Sequence, residues 1–385
     1  MRASGVIAEY NPFHNGHRYH VEKAREISHA EVIIAVMSGN FLQRGEPAII
    51  DKWSRANEAL HNGVDLVVEL PIQWSLQAAD YFGKGGITLL NALGCESICF
   101  GTDSEDTIDY EQLGAFLNQH QKQIDAIFLS FEKDNLTYAQ KMAMALKQLD
   151  ASLAINADQP NHLLAMSYAK ENMQLDHPMK LQAIKRKGAS HLSKKIEAHF
   201  ASATAIRQAV FQGKQVEDVV PNQTRLDLQN SIVSWEDYWP YLKYRIQSSS
   251  LEELREIYQM SEGLEYRLKE KVTASLSFSE FINQVKSKRY TQTRIQRLLC
   301  YILLNIKEKE MEAAWQTNAI RILGYTDKGK DYLNLSKKEF LLPTISKIGK
   351  QEVQQYPMMV KSDRIFQMGN KAIREQNFGR FPVHV

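Results

Sequence analysis

Four short runs rich in valine and isoleucine, residues 6–8, 32–36, 64–70 and 97–100, recur about every 30 residues along the start of the chain. No other feature constrains the fold as strongly. Short apolar strands separated by stretches of helical periodicity fit βαβ units, whose parallel sheet is covered on both faces. In residues 136–149, for example, Tyr138, Met142, Ala145, Leu146 and Leu149 fall on one helical face. Right-handed crossovers make a Rossmann-like, doubly wound α/β sheet the expected solution. We place this domain at residues 1–215.

The pattern changes at the polar stretch 213–224, which carries Pro221. Beyond it, residues 251–258, 264–272, 278–287 and 293–306 read as helices. The last is the clearest, with Ile295, Leu298, Leu299, Ile302, Leu303 and Ile306 on one stripe. A mainly helical domain is expected at 222–385, ending in a tail of loops and short helices rich in Pro and Gly.

The chemistry concentrates in Glu9-Tyr10-Asn11-Pro12-Phe13-His14-Asn15-Gly16-His17, between the first strand and a helix start. Backbone N–H groups and the positive end of the helix dipole converge there, which makes an anion site. Gly16 admits a phosphate close to the backbone. His14 and His17 can donate hydrogen bonds to its oxygens. A second segment, Ser202-Ala203-Thr204-Ala205-Ile206-Arg207, places hydroxyls at a helix start and an Arg one turn in, which suits a leaving pyrophosphate. Alone it is also an ordinary N-cap.

Composition excludes several classes. With 385 residues, 44% of them apolar and 24% charged, the chain is neither disordered nor fibrous. A net charge of +2 excludes a global polycation but not a local basic face. Three cysteines, Cys95, Cys99 and Cys300, make no disulfide framework and no metal site is expected; Cys95 and Cys99 read as small apolar side chains. No run is long and apolar enough for a membrane span, and the N-terminus lacks a signal core. A cytoplasmic protein without membrane contact is expected.

The His-x-Gly-His sequence His14–His17 and the 202–207 segment resemble the two signatures of the nucleotidyltransferase superfamily. The blocks 5–17 and 37–48 are more specific. With Phe100-Gly101, Pro160-Asn161, Ile184-Lys185-Arg186, 201–207, 262–265 and 288–297, they are similar to the bacterial tRNA(Met) cytidine acetate ligase family over nearly the whole chain. The resemblance implies that ATP, with Mg²⁺, activates acetate to acetyl-AMP. The acetyl group then passes to N4 of the wobble cytidine of elongator tRNA(Met). It implies an ATP site made of Ile7, Ala8, Glu9, Tyr10, Asn11, Pro12, Phe13, His14, Asn15, Gly16, His17, Arg18, Tyr19 and His20, with Gly101, Asn161, Arg186 and Lys187. His14, His17, Ser202 and Arg207 are the expected catalytic groups. The chain departs from the family pattern at His162-Leu163 and at Ala189-Ser190-His191-Leu192.

Other readings stay open at this stage. Lys180, Lys185, Arg186, Lys187, Lys194 and Lys195 form an acid-free stretch that suits triphosphate, an anticodon arm or plain solvent. Asn40, Arg44 and Glu46 either hold acetate or the target base, or belong to a loop that packs on the site. Trp53, Trp74 and Tyr81 either stack a flipped base or fill the core. Lys288, Arg289, Arg294 and Arg297, with Lys286 and Lys307, form the expected tRNA-contacting face; the bland alternative is a solubilising surface. A small-molecule adenylyltransferase is the competing function. Oligomeric state is not legible.

Overall fold

The computed structural model describes residues 1–102, 108–131, 136, 138–150, 160–185, 199–287 and 290–385. Five parallel strands form: β1 (Ala3–Ala8), β2 (Val32–Ser38), β3 (Leu66–Leu70) and β4 (Ser97–Thr102) on the four expected runs, and β5 (Lys180–Lys185), which those runs did not include. Their order is β5-β4-β1-β2-β3. The side chains of β2 alternate between two cores. Ile33, Ala35 and Met37 meet helices Asn15–Ser28 and Lys52–His61 on one face. Val32, Ile34 and Val36 meet helices Ala79–Ala92 and Pro160–Asn172 on the other. Gly86 permits the close approach of its helix to β1, since a Cβ there would overlap the Ile7 side chain. The strand order reverses between β1 and β4, so the crevice at their carboxyl ends is the expected ligand position.

In the second half, helices Trp235–Ser248, Leu264–Ala274, Phe278–Val285 and Gln292–Leu304 enclose one core. The expected stripe on Gln292–Leu304 is buried, and so are Cys300, Tyr301 and Leu304, because neighbours surround that helix on several sides. Phe41, Ile72 and Leu76 from the first half join the same core.

The sheet does not stop within residues 1–215. Strand β6 (Ile320–Tyr325) pairs antiparallel with β3, and β7 (Thr344–Ile345) and β8 (Val383–His384) pair with β6. The expected loop-and-helix tail thus supplies strands, and the division at 215–222 does not separate sheet from helices. The physical reason is the edge of β3, whose backbone groups would otherwise lie unpaired beside a fully buried strand. A buried ionic cluster fixes this addition. Lys52 Nζ contacts Glu69 (2.8 Å) and Asp363 (2.6 Å), and Arg321 of β6 contacts Glu69 (3.4 Å) and Asp363 (3.1 Å). Among the described residues, no helix is long and apolar enough to cross a membrane.

Candidate functional site

A cavity of about 400 Å³ opens at the carboxyl ends of β1 and β4, at the reversal of strand order. His14 ends the loop after β1 and caps helix Asn15–Ser28. Its Nδ1 accepts from the Gly16 N–H (3.1 Å), while the His14 N–H donates to Nδ1 of His17 (3.3 Å). The two rings stack with centroids 3.7 Å apart. With both Nδ1 atoms acting as acceptors, the proton of each neutral imidazole resides on Nε2. The helix start therefore carries two oriented N–H donors in addition to its own backbone amides.

Arg207 reaches the cavity from helix Ala203–Phe211. Its guanidinium donates to the Asn11 carbonyl (2.8 Å) and pairs with Glu46 (3.0 Å). Glu46 also accepts from Asn11 Nδ2 (3.2 Å), and Asn11 Oδ1 accepts from the Ile49 N–H (2.7 Å). The first loop, the 39–51 loop and the 203–211 helix are thus tied together at one point. Glu9 lies alongside. Burial raises the pKa of its carboxyl, while the Gln43 N–H, donating at 2.7 Å, acts in the opposite direction.

The expected ATP residues divide clearly. Ile7, Ala8, Glu9, Tyr10, Asn11, His14, Gly16, His17, Tyr19, His20, Gly101 and Asn161 line the cavity. Pro12, Phe13, Asn15 and Arg18 do not. Phe13 is fully buried in the core, and Arg18 is exposed and pairs with Glu22. Asn15 Nδ2 instead donates to the carbonyls of His199 (3.1 Å) and Asp218 (3.0 Å), which draws the second segment against the first. Arg186, Lys187, His191, Lys194 and Lys195 lie outside the described residues.

Ser202 takes the cap position that its segment also allowed. It is 2% exposed, and its Oγ accepts from the Ala205 N–H (3.1 Å) as the cap of its helix. Thr204, its neighbour, is the hydroxyl residue that lines the cavity. The departure at His162 is structural as well: its Nδ1 bonds the Tyr110 hydroxyl (2.9 Å), which bonds Thr102 (2.9 Å) at the end of β4. This chain anchors the helix turn that presents Asn161.

Of the loop candidates, Arg44 and Glu46 line the cavity. Asn40 does not; its Nδ2 donates to Asp363 (2.9 Å) and Gln376 (3.1 Å), inside the ionic cluster. Trp53 and Trp74 are core residues. Tyr81 is exposed and stacks on Trp315 with centroids 5.0 Å apart. Cys95 and Cys99 are buried, and burial pushes the Cys99 thiol up to about 11. Gln43, Phe82, Leu164 and Tyr168 line the cavity without having been anticipated. The last two sit on Pro160–Asn172, where apolar residues run all round the helix and no face stands out.

Arg297 and Arg294 face their own protein. Arg297 Nη1 donates to the Gln43 carbonyl (3.3 Å), and burial lowers the pKa of its guanidinium. Arg294 donates to Ser261 Oγ (2.6 Å) and lies 4.8 Å from the Tyr290 ring centroid. Lys307 pairs with Glu256. The expected outward projection of this basic face therefore does not describe Arg297. Lys288 and Arg289 lie outside the described residues.

A family model described as HIGH Nucleotidyl Transferase matches residues 1–380. The chain is 43% identical over its whole length to a tRNA(Met) cytidine acetate ligase of Latilactobacillus sakei, covering 97% of that protein. It is 42% identical to the enzyme of the same name from Leuconostoc citreum, again over its whole length and covering 98% of the relative. Among solved structures, Thermotoga maritima TmcAL in its apo form superposes with a TM-score of 0.91 at 29% identity, with all of both chains covered. The same protein bound with alpha-thio ATP superposes with a TM-score of 0.88 at 29% identity, covering all of this chain and 99% of that one.

Proposed function

Because the chain belongs to the tRNA(Met) cytidine acetate ligase family, within the HIGH nucleotidyl transferases, we propose that it uses ATP to acetylate N4 of the wobble cytidine of elongator tRNA(Met). The observation that carries this reading is the stacked His14–His17 pair at a helix N-terminus, set in the cavity opposite Arg207.

ATP occupies the cavity with its base end toward Gly101 and Asn161 and its phosphates over the start of helix Asn15–Ser28. An acetate oxygen attacks the α-phosphorus; the new P–O bond gives acetyl-AMP, and the bond to pyrophosphate breaks. Nε2–H of His14 and His17, with Arg207, meets the charge that collects on the departing oxygens. Thr204 adds a hydroxyl, and Ser202 acts through the helix it caps. Among the described residues, no three His, Cys, Asp or Glu side chains converge on a metal position. Mg²⁺, if brought in with the nucleotide, would be held chiefly by phosphate oxygens and would offset their charge.

In the second step the cytidine N4 attacks the acetyl carbonyl carbon, the C–O bond breaks and AMP leaves with its electron pair. The proton lost from N4 passes to a carboxylate, a role we give to Glu46, which lines the cavity and whose carboxylate suits the cytosine amino group. The apolar walls of Phe82, Phe100 and Leu164 keep water from the acyl donor.

The test is incubation with ATP, labelled acetate and bulk tRNA. Label in RNA is expected. ATP consumed without acetate, with a nucleotide joined to a small phosphorylated metabolite, would establish the adenylyltransferase instead.

A further inference from the structure

We propose that the C-terminal segment 364–381 is an RNA-docking surface beside the cleft, made for the unpaired bases and backbone of an RNA loop. This deepens the acetate ligase reading and rests on it.

The segment carries Arg364, Lys371, Arg374 and Arg380 against a single carboxylate, Glu375. Arg364, Lys371 and Arg374 are exposed. Glu375 is turned to its own backbone, accepting from the Asn377 (2.9 Å) and Phe378 (3.2 Å) N–H groups. Two aromatic rings stand among these cations: Phe378 is 39% exposed and Phe381 67%. Arg364 lies 5.4 Å from the Phe378 ring centroid, and Arg380 lies 5.0 Å from that of Trp53. Solvated phenylalanines cost free energy unless something covers them. Cations interleaved with the partly exposed rings of Phe378 and Phe381 match a single strand, whose phosphates pair with the first and whose bases stack on the second.

Position supplies the second argument. Gln376 is held by Asn40, immediately beyond the carboxyl end of β2, and its carbonyl accepts from Trp53 Nε1 (3.0 Å) in the first turn of helix Lys52–His61. Both anchors lie at the sheet edge where the cavity opens. The 40–53 stretch that joins them carries Gln43, Arg44 and Glu46 into that cavity. One loop therefore has the cleft on one side and this surface on the other. RNA lying on the surface has its bases at the mouth through which a cytidine must enter.

The test uses the full-length triple variant Lys371→Glu, Arg374→Glu, Phe381→Ala and an elongator tRNA(Met) transcript. Affinity should fall by about 30-fold at moderate salt, with the slope of log K against log salt shallower by about 2. Acetate-dependent ATP–pyrophosphate exchange, which involves no RNA, should stay at the wild-type level. The charge-retaining triple Lys371→Arg, Arg374→Lys, Phe381→Tyr should bind tRNA as the wild type does. Unchanged affinity and slope in the reversed triple overturn the surface while leaving the ligase reading intact. Equal loss in the charge-retaining triple also overturns it, because the effect is then structural. A wild-type chain that exchanges pyrophosphate but binds no tRNA overturns the RNA-acylating reading and the surface together.

Discussion

Two groups of charged side chains flank the 39–51 loop, and they are built in opposite ways. Lys52, Glu69, Arg321 and Asp363 are at most 4% exposed, and each meets opposite charge in the interior. Glu46 and Arg207, 24% and 17% exposed, meet at the wall of the cavity. The interior cluster is closed off from solvent, so its charges fix geometry and hold β6 and helix Pro357–Gln367 against the sheet. The cavity pair keeps access to solvent and to ligand, so each member can exchange its partner for a phosphate or an amine. Chemically similar groups thus serve as a fastening in one place and as working groups in the other, and burial decides which.

The sharpest way to break this contrast is to remove one charge from the interior. Lys52→Met leaves Glu69 and Asp363 with Arg321 alone, and should destabilise the fold by about 3–5 kcal/mol. Urea unfolding reads this directly; a loss below about 1 kcal/mol would mean that the cluster fastens nothing. His17→Ala is next. Acetate-dependent pyrophosphate exchange should fall by about 10²–10³-fold, as when one oriented donor is removed from an anionic transition state. The urea midpoint should barely move, and exchange at the wild-type rate would remove His17 from the machinery.

Legibility in the sequence follows the same division between local and distant partners. The strand, loop and helix start around His14 are written in one contiguous segment, and periodicity plus a glycine placed them correctly. The four strand runs were visible for that reason too. β6 was not: Ile-Arg-Ile-Leu-Gly-Tyr puts a buried Arg321 where a strand should show an apolar or solvent-facing residue. Only Glu69 and Asp363, distant in the chain, make that burial tolerable. Sequence alone did not separate the two roles of Ser202, because a cap and a phosphate-binding hydroxyl have the same local sequence. Arg297 was read as outward because helical phase alone does not reveal that the 43–45 loop lies over it.

Glu46→Gln probes the cavity side of the contrast. Stability should change by less than about 1 kcal/mol, as for a partly solvated pair. Acetyl transfer to tRNA should drop by about 10²-fold more than pyrophosphate exchange, the size expected for loss of a general base. Equal losses in both steps would make Glu46 a holder of Arg207 only. The smallest effect concerns another buried carboxyl, Glu58, whose pKa is raised well above 4.5 by burial and by the neighbouring Asp227. A carboxyl with a raised folded pKa stabilises the fold below its ordinary value, and that contribution is lost as pH climbs through the raised one. Glu58→Gln should therefore raise the melting temperature at pH 8 by about 2 °C and leave it unchanged at pH 4. A variant with an unaltered pH profile would show that this carboxyl has the same pKa in the folded and the unfolded chain.

Gly45 sits at φ 74, and a Cβ there would collide with the backbone nitrogen of Arg297. The cleft wall and helix Gln292–Leu304 are thus in contact without even a methyl group between them. Any tilt of that helix is passed undamped to Arg44 and Glu46, like motion through a bearing with no clearance. A chain lengthened or shortened at this contact would lose the alignment of the wall before it lost the fold.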